Sequence, residues 1–232
     1  MEQKLTFLFA GHEATVWIPE NANGRWIWKT EFFTAFDKAE QDLYAEGYIR
    51  VYYCISDMYG SFRAVRLMHE FQKHLMLNYG LVENPVLFGF SRGGLYAFNY
   101  ALFYPECVSG VYLDAPVLDL KDWPQPGIPE HTQMLEEYGI NDQALFGNWH
   151  ENPIDRLEEY FSLGLPTLVV AGDADEAVDF TKNAGKLQRF CSERGLPLTG
   201  IVKPGCGHHP HSLEDDTAPI RQFVNDCFDG RL

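Results

Sequence analysis

Gly89-Phe90-Ser91-Arg92-Gly93 places a serine between glycines two residues before and two after it. That G-x-S-x-G spacing suits a hydroxyl at the tip of a sharp strand-to-helix turn, where small neighbours let strand and helix approach closely. The following helix then aims its first amide N–H groups, and the positive end of its dipole, at developing negative charge. A serine hydroxyl is a poor nucleophile at neutral pH unless a base takes its proton. Such a base is expected late in the chain, after an acid, in the order serine, carboxylate, histidine.

Both partners occur in that order. Ala171-Gly-Asp-Ala-Asp-Glu176 follows an apolar run, and Pro204-Gly-Cys-Gly-His208-His-Pro-His211 follows another. Asp173, Asp175, Glu176 and Asp179 are candidate acids. Asp175 is preferred because it sits where the turn has cleared its strand, whereas Asp173 is expected to bond the backbone of its own turn. Among His208, His209 and His211, His208 is preferred because Gly207 before it would permit close approach to the serine; the other two are read as loop or pocket-edge residues. The three histidines show no carboxylate at a matching spacing, so no metal ligand set is expected. The reaction predicted is acyl transfer, with Ser91 attacking a carbonyl, His208 as general base and Asp175 orienting it; no cofactor is required.

The oxyanion needs two backbone donors. One is expected at the Arg92 amide and the second near Trp28-Lys29-Thr30, with Lys29 taken within that window. The Arg92 side chain would either grip a substrate carboxylate or pair with an acid such as Glu31. Tyr59, Trp28 and Trp123 are the candidate substrate-binding residues, within a set of rim aromatics that also includes Trp26 and Trp149. Such rings suit a sugar or an aromatic ring, with core packing as the competing role.

The elements that must position these residues read as alternating strands and helices. Leu5–Phe9, Ala14–Ile18 and Arg25–Lys29 are early strands, followed by a helix near Asp37–Glu46, a strand at Ile49–Ile55 and an amphipathic helix over about Ser61–Tyr79. Pro85–Phe90 is apolar throughout, as a strand buried on both faces should be. A helix over Leu95–Tyr104, strands at Val108–Leu113 and Thr167–Ala171, a helix over about Phe180–Arg194, a strand at Leu198–Lys203 and a last helix over about Asp216–Phe228 complete the pattern. The fold class is therefore α/β, a mostly parallel sheet with helices on both sides, in a single domain over residues 1–232. The segment from about 117 to 157, with its Trp123-Pro-Gln-Pro-Gly127 and Asn148-Trp149-His150, breaks the rhythm and reads as a small lid over the site, with a structural insertion covering a sheet edge as the alternative.

Bulk properties narrow the partners. Lys and Arg number 18 against 33 Asp and Glu, a net charge of −15, which disfavours nucleic acid and anionic membrane surfaces. The five cysteines are odd in number and lack metal-type spacing, so buried thiols are expected rather than disulfides. The apolar start is too short for a signal sequence, and a cytoplasmic protein is expected. A homodimer is the assembly considered.

With these segments the sequence resembles the α/β-hydrolase superfamily over nearly its whole length. GFSRGG (89–94), GDADEAV (172–178) and KPGCGHHPHSL (203–213) are similar to those of bacterial single-domain, prolyl-oligopeptidase-like serine hydrolases and esterases. The resemblance implies an eight-stranded sheet, with Ser91, Asp175 and His208 at the triad positions and Gly24–Phe33 as the oxyanion strand and loop. It implies cleavage of small carboxylic esters, including acyl or methyl esters of carbohydrates. A peptidase or amidase of the same type, and a non-catalytic binding protein on the same fold, are the alternatives.

Overall fold

The computed structural model describes residues 1–81, 84–141, 146–147 and 149–232. Asn148, part of the turn-rich run assigned to the lid, lies outside the described residues. The strands, in chain order, are β1 (Gln3–Phe9), β2 (His12–Ile18), β3 (Trp26–Lys29), β4 (Ile49–Tyr53), β5 (Val86–Phe90), β6 (Gly110–Asp114), β7 (Thr167–Gly172) and β8 (Thr199–Lys203). Among the described residues they form one sheet in the order β1-β2-β4-β3-β5-β6-β7-β8. The two pairings of β2 are antiparallel, and from β4 onward every pairing is parallel.

Seven helices are named here: α1 (Lys38–Ala45), α2 (Phe62–Tyr79), α3 (Gly93–Phe103), α4 (Pro129–Glu137), α5 (Leu157–Ser162), α6 (Ala184–Arg194) and α7 (Ala218–Asp229). The start of α2 is fixed by the Ser61 hydroxyl, which accepts from the Ala64 amide, and its end by Gly80 at φ 67°. These are the chemistry of an N-cap and a left-handed C-cap. None of the described helices is long and apolar enough to cross a membrane.

Strand alternation divides the core into two layers. Leu87, Val111, Leu113, Val169 and Ala171 face one layer with Phe71 of α2 and Tyr100 of α3. Val86, Phe88, Phe90, Tyr112, Leu168 and Val170 face the other, with Leu43 of α1 and Phe223 of α7. Burying one such aromatic or branched side chain stabilises the fold by about 1.5–3 kcal/mol. Because both faces of the central strands are covered, β5 and β6 are buried at every residue.

This division corrects the reading of Trp26 and Trp28. On β3 the two alternate with Ile27, so both enter the α2/α3 layer and are buried. Trp28 packs edge-on to Phe71 and Tyr100 at 5.6 Å. Neither belongs to a substrate rim.

The insertion is anchored at both ends of the site. Asn183 Oδ1 accepts from the amides of Leu118 and Asp119. Buried Asp122 accepts from the Asp179 amide, Lys182 Nζ and Asn183 Nδ2. At the other end Tyr138 donates to the Tyr59 carbonyl, and Tyr59 donates to Gln133, each at 2.9 Å. The helix expected from Phe180 begins at Ala184 instead. Asp179 Oδ1 accepts from the Thr181 amide and Asn183 Nδ2 donates to the Asp179 carbonyl, the competition with helix bonds expected of such side chains.

Candidate active site

Three loops at the C-terminal ends of β5, β7 and β8 converge. Directly after β5, Ser91 adopts φ 50°, a left-handed conformation unusual for a residue with a Cβ. Strand β6 and the turn after it hold it there: the Ser91 amide donates to the Asp114 carbonyl, and the Ser91 carbonyl accepts from the Val117 amide. The flanking glycines are a steric requirement. A Cβ on Gly89 would lie 2.9 Å from that of Ala97, and one on Gly93 2.9 Å from Thr30 Oγ1.

Ser91 Oγ lies 2.9 Å from His208 Nε2, and His208 Nδ1 lies 2.7 Å from Asp175 Oδ2. An ionised carboxylate only accepts, so Nδ1 carries the proton and the Nε2 lone pair faces the serine hydroxyl. The other Asp175 oxygen accepts from the amides of Ala177 and Val178, both at 3.0 Å. Burial pushes the Asp175 carboxyl upward most strongly of any single influence, yet the His208 bond and these two amides together hold it below its ordinary value. It therefore stays charged near neutrality.

The acid and histidine loops are fastened to each other. The Ala174 amide donates to the Cys206 carbonyl, and the Gly205 amide donates to Asp173 Oδ1 at 2.6 Å. Asp173 thus bonds the neighbouring loop rather than its own turn. The glycine that permits this approach is Gly172, whose Cβ would collide with the Cys206 carbonyl and lie 2.6 Å from that of Gly207. Gly207, the expected reason for choosing His208, has ordinary clearance, with 3.8 Å to the Ala174 oxygen.

The Arg92 amide precedes the first turn of α3, where helix geometry leaves amides without intrahelical acceptors. Its guanidinium pairs with buried Glu31 at 3.4 Å and sits over the Phe32 ring. Burial raises the Glu31 carboxyl above its usual range, with Arg92 and Ser56 acting against that rise.

Lys29 does not occupy the oxyanion position. It lies within the β3 ladder opposite Phe88, and its buried ammonium pairs with Glu40 at 2.6 Å and donates to the Ala35 carbonyl. The next amide, that of Thr30, donates to the Phe88 carbonyl. The chain approaches the elbow only beyond this point: Thr30 Oγ1 donates to the Gly93 carbonyl, and Phe32 turns at φ 55°.

Tyr59 is 1% exposed, with its ring 6.4 Å from that of Trp123 and its hydroxyl spent on Gln133. It secures the insertion and offers no face to a ligand. Trp123 and Trp149 are half-buried, Trp149 against Tyr138 and Phe146.

One feature escaped the sequence entirely. His211 Nδ1 lies 2.8 Å from Asp114 Oδ1, and Asp114 Oδ2 accepts from Tyr112 at 2.6 Å and from the Ser212 amide at 2.9 Å. Both residues of this second imidazole–carboxylate pair are buried. The two lie 97 positions apart, so no local spacing signals it. His209 is exposed and stacks on Phe36; burial and the neighbouring imidazoles of His211 and His208 lower its pKa.

The chain has the α/β-hydrolase fold. No protein-family model matches it, and no curated protein does. Among solved structures, a candidate dipeptidyl aminopeptidase IV from Bacteroides ovatus matches 99% of this chain at 14% identity and TM-score 0.67. The match covers 36% of that peptidase, so the chain spans about a third of its length. TT1662 from Thermus thermophilus matches over 99% of both chains at 16% identity and TM-score 0.66. MGS-MChE2, an α/β-hydrolase enzyme from a Moroccan lagoon-sediment metagenome, matches 98% of this chain and 99% of its own at 16% identity and TM-score 0.57.

Proposed function

We propose that the protein is a serine hydrolase acting on small carboxylic esters, with Ser91 as nucleophile, His208 as general base and Asp175 as the orienting acid. The observation that carries this reading is the continuous line from Ser91 Oγ to His208 Nε2 at 2.9 Å and from His208 Nδ1 to Asp175 Oδ2 at 2.7 Å. His208 takes the hydroxyl proton as Ser91 attacks the carbonyl carbon, then returns it to the leaving alcohol. Water, activated by the same imidazole, hydrolyses the acyl-enzyme. The Arg92 amide is one oxyanion donor, and the loop Glu31–Phe32 supplies the second. Phe32, 38% exposed beside the elbow, offers an apolar contact for the acyl or alcohol group. With Trp26, Trp28 and Tyr59 buried, sugar stacking would fall to Trp123 and Trp149, and the substrate class is accordingly small esters rather than saccharide esters in particular. Five free thiols suit a reducing, cytoplasmic setting.

The likeness to a candidate dipeptidyl aminopeptidase favours a second reading, an amidase or peptidase. p-Nitrophenyl acetate and butyrate assayed beside aminoacyl-p-nitroanilides separate the two: ester turnover is expected, and anilide turnover alone would replace the esterase reading. Ser91→Ala should lower kcat by several orders of magnitude. A fluorophosphonate should label Ser91 in the folded wild type; absence of labelling would point to a binding protein.

A further inference from the structure

We propose that His208, His209 and His211 form a Zn²⁺ site that switches the serine chemistry off by taking the lone pair on which Ser91 depends. One nitrogen from each ring lies within 4.8 Å of the others. Zn–N bonds of 2.0–2.1 Å in a tetrahedral arrangement place donors about 3.4 Å apart, so ring shifts of the order of 1 Å would close the site.

The tautomers favour metal binding. His208 and His211 each bring Nδ1 to a carboxylate, Asp175 at 2.7 Å and Asp114 at 2.8 Å. Each pairing leaves the lone pair on Nε2, which in His208 faces Ser91 Oγ at 2.9 Å, and makes the ring more basic, as in the carboxylate–histidine–zinc arrangement of metalloproteins. The rings are already ordered. Those of His208 and His211 meet at 4.8 Å and 80°, those of His209 and His211 at 4.9 Å and 89°, and Phe36 stacks on His209. Imidazole donors select Zn²⁺ over the hard cations Mg²⁺ and Ca²⁺.

The functional consequence rests on the triad reading. Nε2 of His208 has a single lone pair, and it accepts either the Ser91 hydroxyl proton or the metal. With Zn²⁺ bound, Ser91 keeps its proton and has no base.

Titration of the metal-free full chain with Co²⁺ as a spectroscopic stand-in, and with Zn²⁺ in competition against it, reads the site without reference to activity. Expected are one equivalent of bound metal with nitrogen-type visible absorption, no displacement by Mg²⁺, and Zn²⁺ inhibition of ester hydrolysis in proportion to occupancy. His209→Gln should weaken binding and raise the inhibitory Zn²⁺ concentration by at least about tenfold, as should Asp114→Asn through the lost outer carboxylate. Ser91→Ala should bind metal at least as tightly as the wild type. Unchanged affinity in His209→Gln, thiolate-type absorption indicating a cysteine site, or no bound equivalent would overturn the proposal. An inert enzyme that still binds metal at these histidines would instead count against the hydrolase reading alone.

Discussion

Asp175 and Lys29 are both charged groups withdrawn from water, and they serve different ends. Asp175 is satisfied on each oxygen, by two amides on one and by His208 on the other. In Asp175→Asn the amide can offer its NH₂ to Nδ1, which favours the tautomer that presents Nε2–H to Ser91. A kcat loss of roughly 10⁴-fold with little change in KM is expected, measured on p-nitrophenyl acetate. Lys29 balances Glu40 inside the sheet's helix-covered face. Lys29→Met would leave that carboxyl buried without its partner, at a cost of about 3–5 kcal/mol. Denaturant unfolding should show this loss while activity per folded molecule persists; an unchanged unfolding free energy would mean that the Lys29–Glu40 pair does not carry it.

At the scale of elements, the site depends on how closely strand ends approach one another. β7 ends in Gly172 against the histidine loop, and any side chain there meets the Cys206 and Gly207 carbonyls. Gly172→Ala must separate two loops joined by the Ala174–Cys206 and Asp173–Gly205 hydrogen bonds. We expect destabilisation of about 1–3 kcal/mol together with a lower kcat, because the shift falls on the Asp175–His208 contact. Gly207→Ala serves as the control: with ordinary clearance at that position, thermal melting and ester turnover of the two variants should differ clearly.

For the whole molecule, buried carboxylates set opposing responses to pH. Asp175 has a lowered folded pKa, so its stabilisation is present above its ordinary value of 3.8 and is lost as pH falls below that toward the folded value. Glu31 is raised above 4.5, chiefly by burial. The native state there holds a proton that the unfolded chain releases, so stability declines as pH rises from 4.5 through the folded value. Glu31→Gln should flatten that decline, read as Tm against pH between 4.5 and 8. An unchanged slope would mean that other groups carry it.

The alternation of strands and helices and the G-x-S-x-G turn were legible in the residues because each is local: side-chain period and glycine placement act within a few positions. Burial was less legible. Trp28 and Tyr59 carry the composition of a binding rim, yet the pleat of β3 buries the first and the contacts of Gln133 and Tyr138 hold the second inside. Lys29 is excluded as the second oxyanion donor by its place inside the β3 ladder, with the next amide, Thr30, already bonded to the Phe88 carbonyl. Asp114 and His211 become partners only when β6 and the loop after β8 are brought side by side. Hydrogen bonds across such separations are set by chain crossings, and tertiary structure alone decides them.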